Sequence, residues 1–519
     1  MDFENRIDIK NLFFRTGVPI VGCIAAAMAT VYMMQEVNPL AASCICASVV
    51  FFFIAAVSPR AGFIILLFLC AYSDLLKRML VFWGDLSFEQ VSYVLSGAPV
   101  VVAGLSVSVV TRWAFHRLQL GVRELLILVG ILIAMALNFL LAHREGAGAL
   151  EAFKQAANNG LYLILAPVAL KLIERPEQIG KFLLTARWMF IPVAAYGVFQ
   201  AIFGLADFEM EYLRSGLTIM VKELWDARPR PFSTLNSAHA LGTLAAAFAV
   251  LSLYPILVRR SQRALFTEKI KSIGLFLLYL AASLVSLART AIIVWVVGLF
   301  AFWCFRSRWR TKVFYWVCVA AFAGLLAASP YILDHIAEWD PANDQQSAIV
   351  GQALRIQTYV ERLRGFVNLT RSTDMYSLFG LPEEQKATET TYNHDPISSL
   401  LVDFGVVGLV AALAVVFFGL RAIHSRLLAF PPGENRDTVV LLTAINVGWL
   451  ASHVLFHGVI TTFPVNAFFW LFIGMIGFLL LAPPPPTEAD SSEADTAASR
   501  LGLPQPFASS RPRLAVARR

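Results

Sequence analysis

Charge is scarce in this chain. Asp, Glu, Lys and Arg make up 15% of its 519 residues, against 58% hydrophobic residues and a mean hydropathy of +0.67. Soluble domains carry about 25% charged residues, so this balance excludes an ordinary soluble fold. Cysteine is rare as well, and all six (Cys23, Cys44, Cys46, Cys70, Cys304, Cys318) fall inside or at the edge of apolar runs. They read as small packing residues, which leaves neither a disulfide framework nor a zinc site. No Walker motif, GxGxxG, GxSxG, HExxH or CxxC occurs, which argues against a nucleotide-driven pump or a redox enzyme. Energy must then come from the substrate or from a gradient.

Long apolar runs are what the chain does have. A membrane helix takes roughly 20 mostly apolar residues, and about fourteen such runs can be counted. They include 39–57, 61–75, 91–111, 236–257, 272–288, 290–305, 398–420, 438–456 and 464–482. The expected fold is an all-α polytopic membrane bundle over residues 1–482. It carries two outer loops, 205–235 and 330–397, and a disordered, proline-rich tail at 483–519. Residues 1–16 are polar and no cleavage site follows, so the first helix reads as a signal anchor. The basic segments 111–123, 259–271 and 306–312 face the cytoplasm by the positive-inside rule, which places both termini there.

The 330–397 loop is the one extramembrane segment long enough to fold on its own. Within it, residues 352–369 have helical period, with Ile356, Val360, Leu363 and Val367 as an apolar stripe. Arg355 and Arg362 share the neighbouring face, so two guanidiniums would point one way.

Four groups of residues could carry chemistry. Arg289 stands in a short turn between two apolar runs, as an anion ligand or as an arginine snorkelling to headgroups. Arg228 and Arg230 precede an apolar helix, and Pro229 and Pro231 hold their backbone extended. Arginine suits phosphate because its planar fork donates two hydrogen bonds at once. The plain alternative is lipid anchoring, which fits Arg228 better than Arg230. His394 has Asp395 beside it and Asp403 at the start of the next apolar run. A histidine near neutral pKa can take a proton from a sugar hydroxyl, while a loop histidine with no role is the ordinary alternative. Asp403, read as an acid within the membrane helix, needs a partner or a water-filled cavity. His453 and His457 share a helix face but lack a third ligand, so they read as structural or cavity-lining groups, and Asn446 in the same helix reads as an interhelical hydrogen-bonding residue.

In this order the residues resemble the bacterial O-antigen ligase and polymerase family. That family carries His-[Asn/Ser/Gln], nine residues, then GxxG at the end of a long periplasmic loop. Here His394, Asp395, nine residues, Gly405 and Gly408 match the spacing, with Asp395 in place of the usual amide or hydroxyl. SLART, containing Arg289, is similar to the family's Ser-x-x-Arg turn. RPFSTLNSAH, beginning at Arg230, resembles its Arg, Gly/Ser, Asn helix start, and Arg355 resembles the arginine opening its loop helix. The resemblance covers residues 228–482. It implies a GT-C type helical fold, no metal or other cofactor, and transfer of a glycan from undecaprenyl diphosphate to a hydroxyl acceptor. It assigns His394 as base and Arg289, Arg230 and Arg355 to the diphosphate, with Arg362, Asp395 and Asp403 in support. The expected partners are the lipid-linked oligosaccharide, the glycan acceptor, membrane lipids and other polysaccharide-assembly proteins, with no nucleic acid. Polymerase, ligase and a flippase without chemistry are the three functions in play. Transport would call for two related halves with paired broken helices, and neither is visible in the sequence.

Overall fold

The computed structural model describes residues 38–84, 88–115, 121–144, 160–215, 229–258, 266–307, 310–314, 396–430, 432–455 and 459–481, with isolated positions between them. Among these residues it is all helical, with no strand. In chain order the helices are α1 (Pro39–Val57), α2 (Pro59–Gly84), α3 (Phe88–Leu95), α4 (Gly97–Ala114) and α5 (Val122–Arg144). They continue with α6 (Leu165–Leu172), α7 (Pro176–Met189), α8 (Ile191–Phe203), α9 (Asp207–Arg214), α10 (Ala238–Ser252) and the single turn α11 (Tyr254–Leu257). The last are α12 (Phe266–Val285), α13 (Arg289–Phe305), α14 (Pro396–Ala429), α15 (Glu434–Leu455) and α16 (Val465–Leu481). Six helical stretches are long and apolar enough to cross a membrane, and α13 and α16 are apolar but slightly shorter. This is a membrane protein.

Local chemistry sets the helix ends. Pro39 occupies the first turn of α1, and the Asn38 side chain accepts a hydrogen bond from the Leu40 amide at 2.9 Å. Ser237 caps α10 by accepting from the Ala240 amide at 3.1 Å. α10 is the axis of the bundle, since every residue from Ala240 to Ser252 is buried. A helix buried on all sides must be apolar on all sides, and its run of Ala and Leu meets that demand. α12 and α13 flank it, and α15 packs along α13.

Close packing in a membrane relies on small residues. A Cβ at Gly448 in α15 would strike the Val294 carbonyl of α13, and one at Gly104 in α4 would strike the Phe52 carbonyl of α1. Cys70 and Cys304 are buried within the bundle.

Two helices depart furthest from the sequence reading. The run read as 61–75 is the first part of α2, which continues to Gly84 through Asp74, Lys77 and Arg78, all buried. The run read as 398–420 belongs to α14, which breaks at Gly405 (φ 64°, ψ −165°), and the apolar span lies beyond the break at Gly405–Leu427. Asp403 is therefore helical but precedes the break, outside that span. The backbone region at Gly405 is open essentially to glycine alone. Gly405→Ala is expected to cost about 1–3 kcal/mol, read from thermal unfolding of the purified protein. An unchanged unfolding curve would mean that α14 straightens without penalty.

Candidate functional site

The segment 229–237 and the turn between α12 and α13 lie far apart in sequence and meet in space. The Arg230 guanidinium donates through Nε at 3.0 Å and Nη2 at 2.6 Å to the Ser286 carbonyl. Ser286 shapes its own turn, because its hydroxyl donates to the Ser283 carbonyl at 2.7 Å and accepts from the Ala288 amide at 3.2 Å. Leu287, at the tip, has φ 52°. A branched side chain in the left-handed region is strained, so the turn is held by its contacts and not by local preference. Gly242 of α10 lets the turn approach, since a Cβ there would meet the Ser286 hydroxyl and the Ala288 methyl.

Arg289 is the first residue of α13 and is half-buried. The next residue ties the two helix starts together, with Thr290 Oγ1 3.0 Å from His239 Nδ1 in the first turn of α10. From the other side, the Ser452 hydroxyl of α15 donates to the Thr290 carbonyl at 3.1 Å. The first turns of α10 and α13 thus lie side by side with two arginines close at hand. Helix amino termini carry partial positive charge and backbone donors, so two such ends and two arginine residues lie in one neighbourhood here.

The expected site residues are placed unevenly. Arg230 reaches the Ser286 carbonyl, in the turn that leads into Arg289 at the start of α13. His394, Asp395, Arg355, Arg362 and Arg228 lie outside the described residues, as do residues 330–395 of the large loop and the tail. For Asp403 only the backbone is described, on the near side of the Gly405 break. His453 is one residue from Ser452 and therefore near the α13 start. His457 lies outside the described residues. Asn446 donates to the Phe469 carbonyl of α16 at 3.4 Å, the interhelical role expected of it. Among the described residues no three His, Cys, Asp or Glu side chains gather as a metal site would require.

Sequence reasoning missed Arg78, Gln200, Glu209 and His239. Arg78 and Glu209 form a fully buried ion pair at 3.0 Å, with side chains 2% and 0% exposed. One signal was available: Asp74, Lys77 and Arg78 follow directly on an apolar run, where ionisable residues need partners. Nothing local marked Gln200 or Glu209 as those partners. No protein-family model, curated protein or solved structure matches this chain.

Proposed function

We propose that this protein is a metal-independent inverting glycosyltransferase of the bacterial inner membrane that moves a glycan from undecaprenyl diphosphate to a sugar hydroxyl. The observation that supports the reading is that Arg230 donates to the Ser286 carbonyl, in the turn that leads into Arg289, beside the starts of α10 and α13 that Thr290 and His239 tie together. Two guanidiniums and two helix amino termini suit a diphosphate, which is both the handle and the leaving group of such a donor. They would neutralise charge growing on the leaving oxygen, as preorganised donors do elsewhere. Arg355 would join them from the large outer loop, with Arg362 alongside.

In this reading His394 takes the proton of the acceptor hydroxyl as that oxygen attacks the anomeric carbon. The bond from that carbon to the diphosphate breaks, and its electrons pass to the leaving oxygen. The carboxylate of Asp395 would orient the imidazole ring. No pair of carboxylates flanking a water is needed, unlike hydrolytic glycosidases. The site faces the periplasm and both termini face the cytoplasm. Polymerisation of an exopolysaccharide or O-antigen is preferred over ligation, because Asp395 and the long tail depart from a ligase pattern.

The deciding experiment compares the size of undecaprenyl-diphosphate-linked glycans in cells with and without the protein. Single repeat units accumulating in its absence would support polymerisation, and long lipid-linked chains would identify a ligase. An unchanged profile would defeat the glycosyltransferase reading. At the residue level, Arg289→Lys is expected to lower transfer by about 10–100-fold, since a point charge cannot replace a bidentate fork. Near-normal turnover in that variant would assign Arg289 to lipid anchoring.

A further inference from the structure

The segment that carries Arg230 is strained three residues further on. Ser233 has φ 56° and is fully buried. Strained residues persist where their surroundings over-determine them, and they cluster at ligand clamps. Every polar atom of Ser233 is engaged. Its amide donates to Gln200 Oε1 at 2.6 Å, its hydroxyl donates to the Val193 carbonyl, and its carbonyl accepts from Arg78 Nη2 at 2.6 Å. The Phe232 amide also donates to Gln200 Oε1, at 3.1 Å, and the Arg78 guanidinium lies over the Phe232 ring, 4.5 Å from its centre. One residue on, the Thr234 hydroxyl donates to the Ala71 carbonyl of α2 at 2.6 Å.

The groups that hold Ser233 are themselves locked. Gln200 Nε2 donates to both carboxylate oxygens of Glu209, at 2.8 and 2.9 Å, and Arg78 Nη1 donates to Glu209 at 3.0 Å. Arg78 Nε donates to the Asp74 carbonyl at 3.1 Å, and Lys77 pairs with Asp74 at 3.0 Å. Two acids and two bases make this cluster neutral. It offers no surplus charge to a ligand, unlike the arginine pair beyond it. Glu209 reaches the cluster because α8 ends at Gly204 (φ 86°, ψ −178°), a conformation open to glycine that turns the chain into α9. A Cβ there would meet nothing within 4 Å, so the backbone turn itself is what selects glycine.

We propose that Arg78, Gln200 and Glu209 are positioning residues: they clamp residues 232 and 233 in a strained conformation and thereby aim Arg230 at the Ser286 turn. The proposal rests on the reading of Arg230 and Arg289 as a diphosphate site. The clamp sets where the Arg230 fork stands and touches no ligand itself. Its loss therefore weakens the site through Arg230 alone, which separates this role from general support of the bundle.

The test uses full-length protein in lipid nanodiscs with undecaprenyl diphosphate as the probe. Gln200→Met keeps the side-chain volume and removes both ends of the amide. Loss of two buried hydrogen bonds to the clamped backbone is expected to raise amide hydrogen exchange at residues 232 and 233 about tenfold, and the Kd for undecaprenyl diphosphate about tenfold. Arg230→Ala alone is expected to raise the Kd by about tenfold or more, and Gln200→Met added to it should raise the Kd no further, because both act through one side chain. Should Gln200→Met fold poorly, Ser233→Ala, which removes only the hydroxyl contact, is read by the same two measurements. Exchange within twofold of the parent, or additive losses in the double variant, would overturn the proposal. Unchanged affinity in Arg230→Ala would instead sink the diphosphate reading, and the exchange rates would still decide whether the clamp holds the segment.

Discussion

His394→Ala is expected to lower glycan transfer by about 10²–10⁴-fold, the range that a positioned general base supplies. The amount of protein in the membrane should not change, because the substitution falls before α14 in the sequence and alters none of the apolar membrane spans. The assay is extension of lipid-linked repeat units in membranes from cells making the variant, with protein measured in the same membranes. Asp395→Asn supplies a graded comparison: it restores the residue type the resembling family uses and keeps a hydrogen-bond acceptor for the ring. It should retain most of the activity that His394→Ala loses. Full activity in His394→Ala would remove this residue as the base and leave the arginine site without a proton acceptor.

Glu209→Ala is expected to destabilise the protein by about 3–5 kcal/mol, the cost of leaving a buried charge without its partner. The magnitude follows from geometry. Glu209 is fully buried and its two oxygens accept from Arg78, from Gln200 and, at 3.2 Å, from the Ala206 amide. Removing the carboxylate strands a guanidinium that is 2% exposed. The pair variant Arg78→Met with Glu209→Leu removes both charges and should recover much of the loss, since apolar replacement of a whole buried pair is often neutral. Unfolding of detergent-solubilised protein monitored by temperature or denaturant reads both. A loss under about 1 kcal/mol in Glu209→Ala would place the pair with exposed ion pairs, which contribute little. Such pairs are present at Arg60–Glu174 and Lys271–Glu268, and their substitution should have a small effect.

Hydropathy made most of the bundle legible. The run 39–57 is helix α1 to the residue, and the runs 236–257 and 290–305 correspond closely to α10 with α11 and to α13. It failed where charge interrupts apolarity. α2 continues nine residues past the predicted end at 75 because Asp74, Lys77 and Arg78 find partners, one within the helix and others from segments more than a hundred residues on. A window average sees the charge and cannot see a distant partner. The helix break at Gly405 escaped for a different reason: apolar residues continue across it, and only backbone angles reveal the interruption. Arginines beside prolines and in a short turn were conspicuous in the sequence, and the structure joins the two segments through Arg230 and the Ser286 carbonyl. Gln200 was not, because a single amide in an apolar helix gives no hint that it will hold two backbone amides and a carboxylate at once.

The Arg78–Glu209 pair also imposes an order on synthesis. The two residues are 131 positions apart. At about 5–20 residues per second, the arginine is made roughly 7–26 s before its partner exists. A buried guanidinium without its acid is costly, so the far end of α2 cannot take up its final packing before Glu209 exists. Only when α9 emerges can that end be drawn into place, and Ser233 follows within a few seconds more. The arginine segment therefore acquires its shape late, after most of the amino-terminal helices have already been delivered to the bilayer.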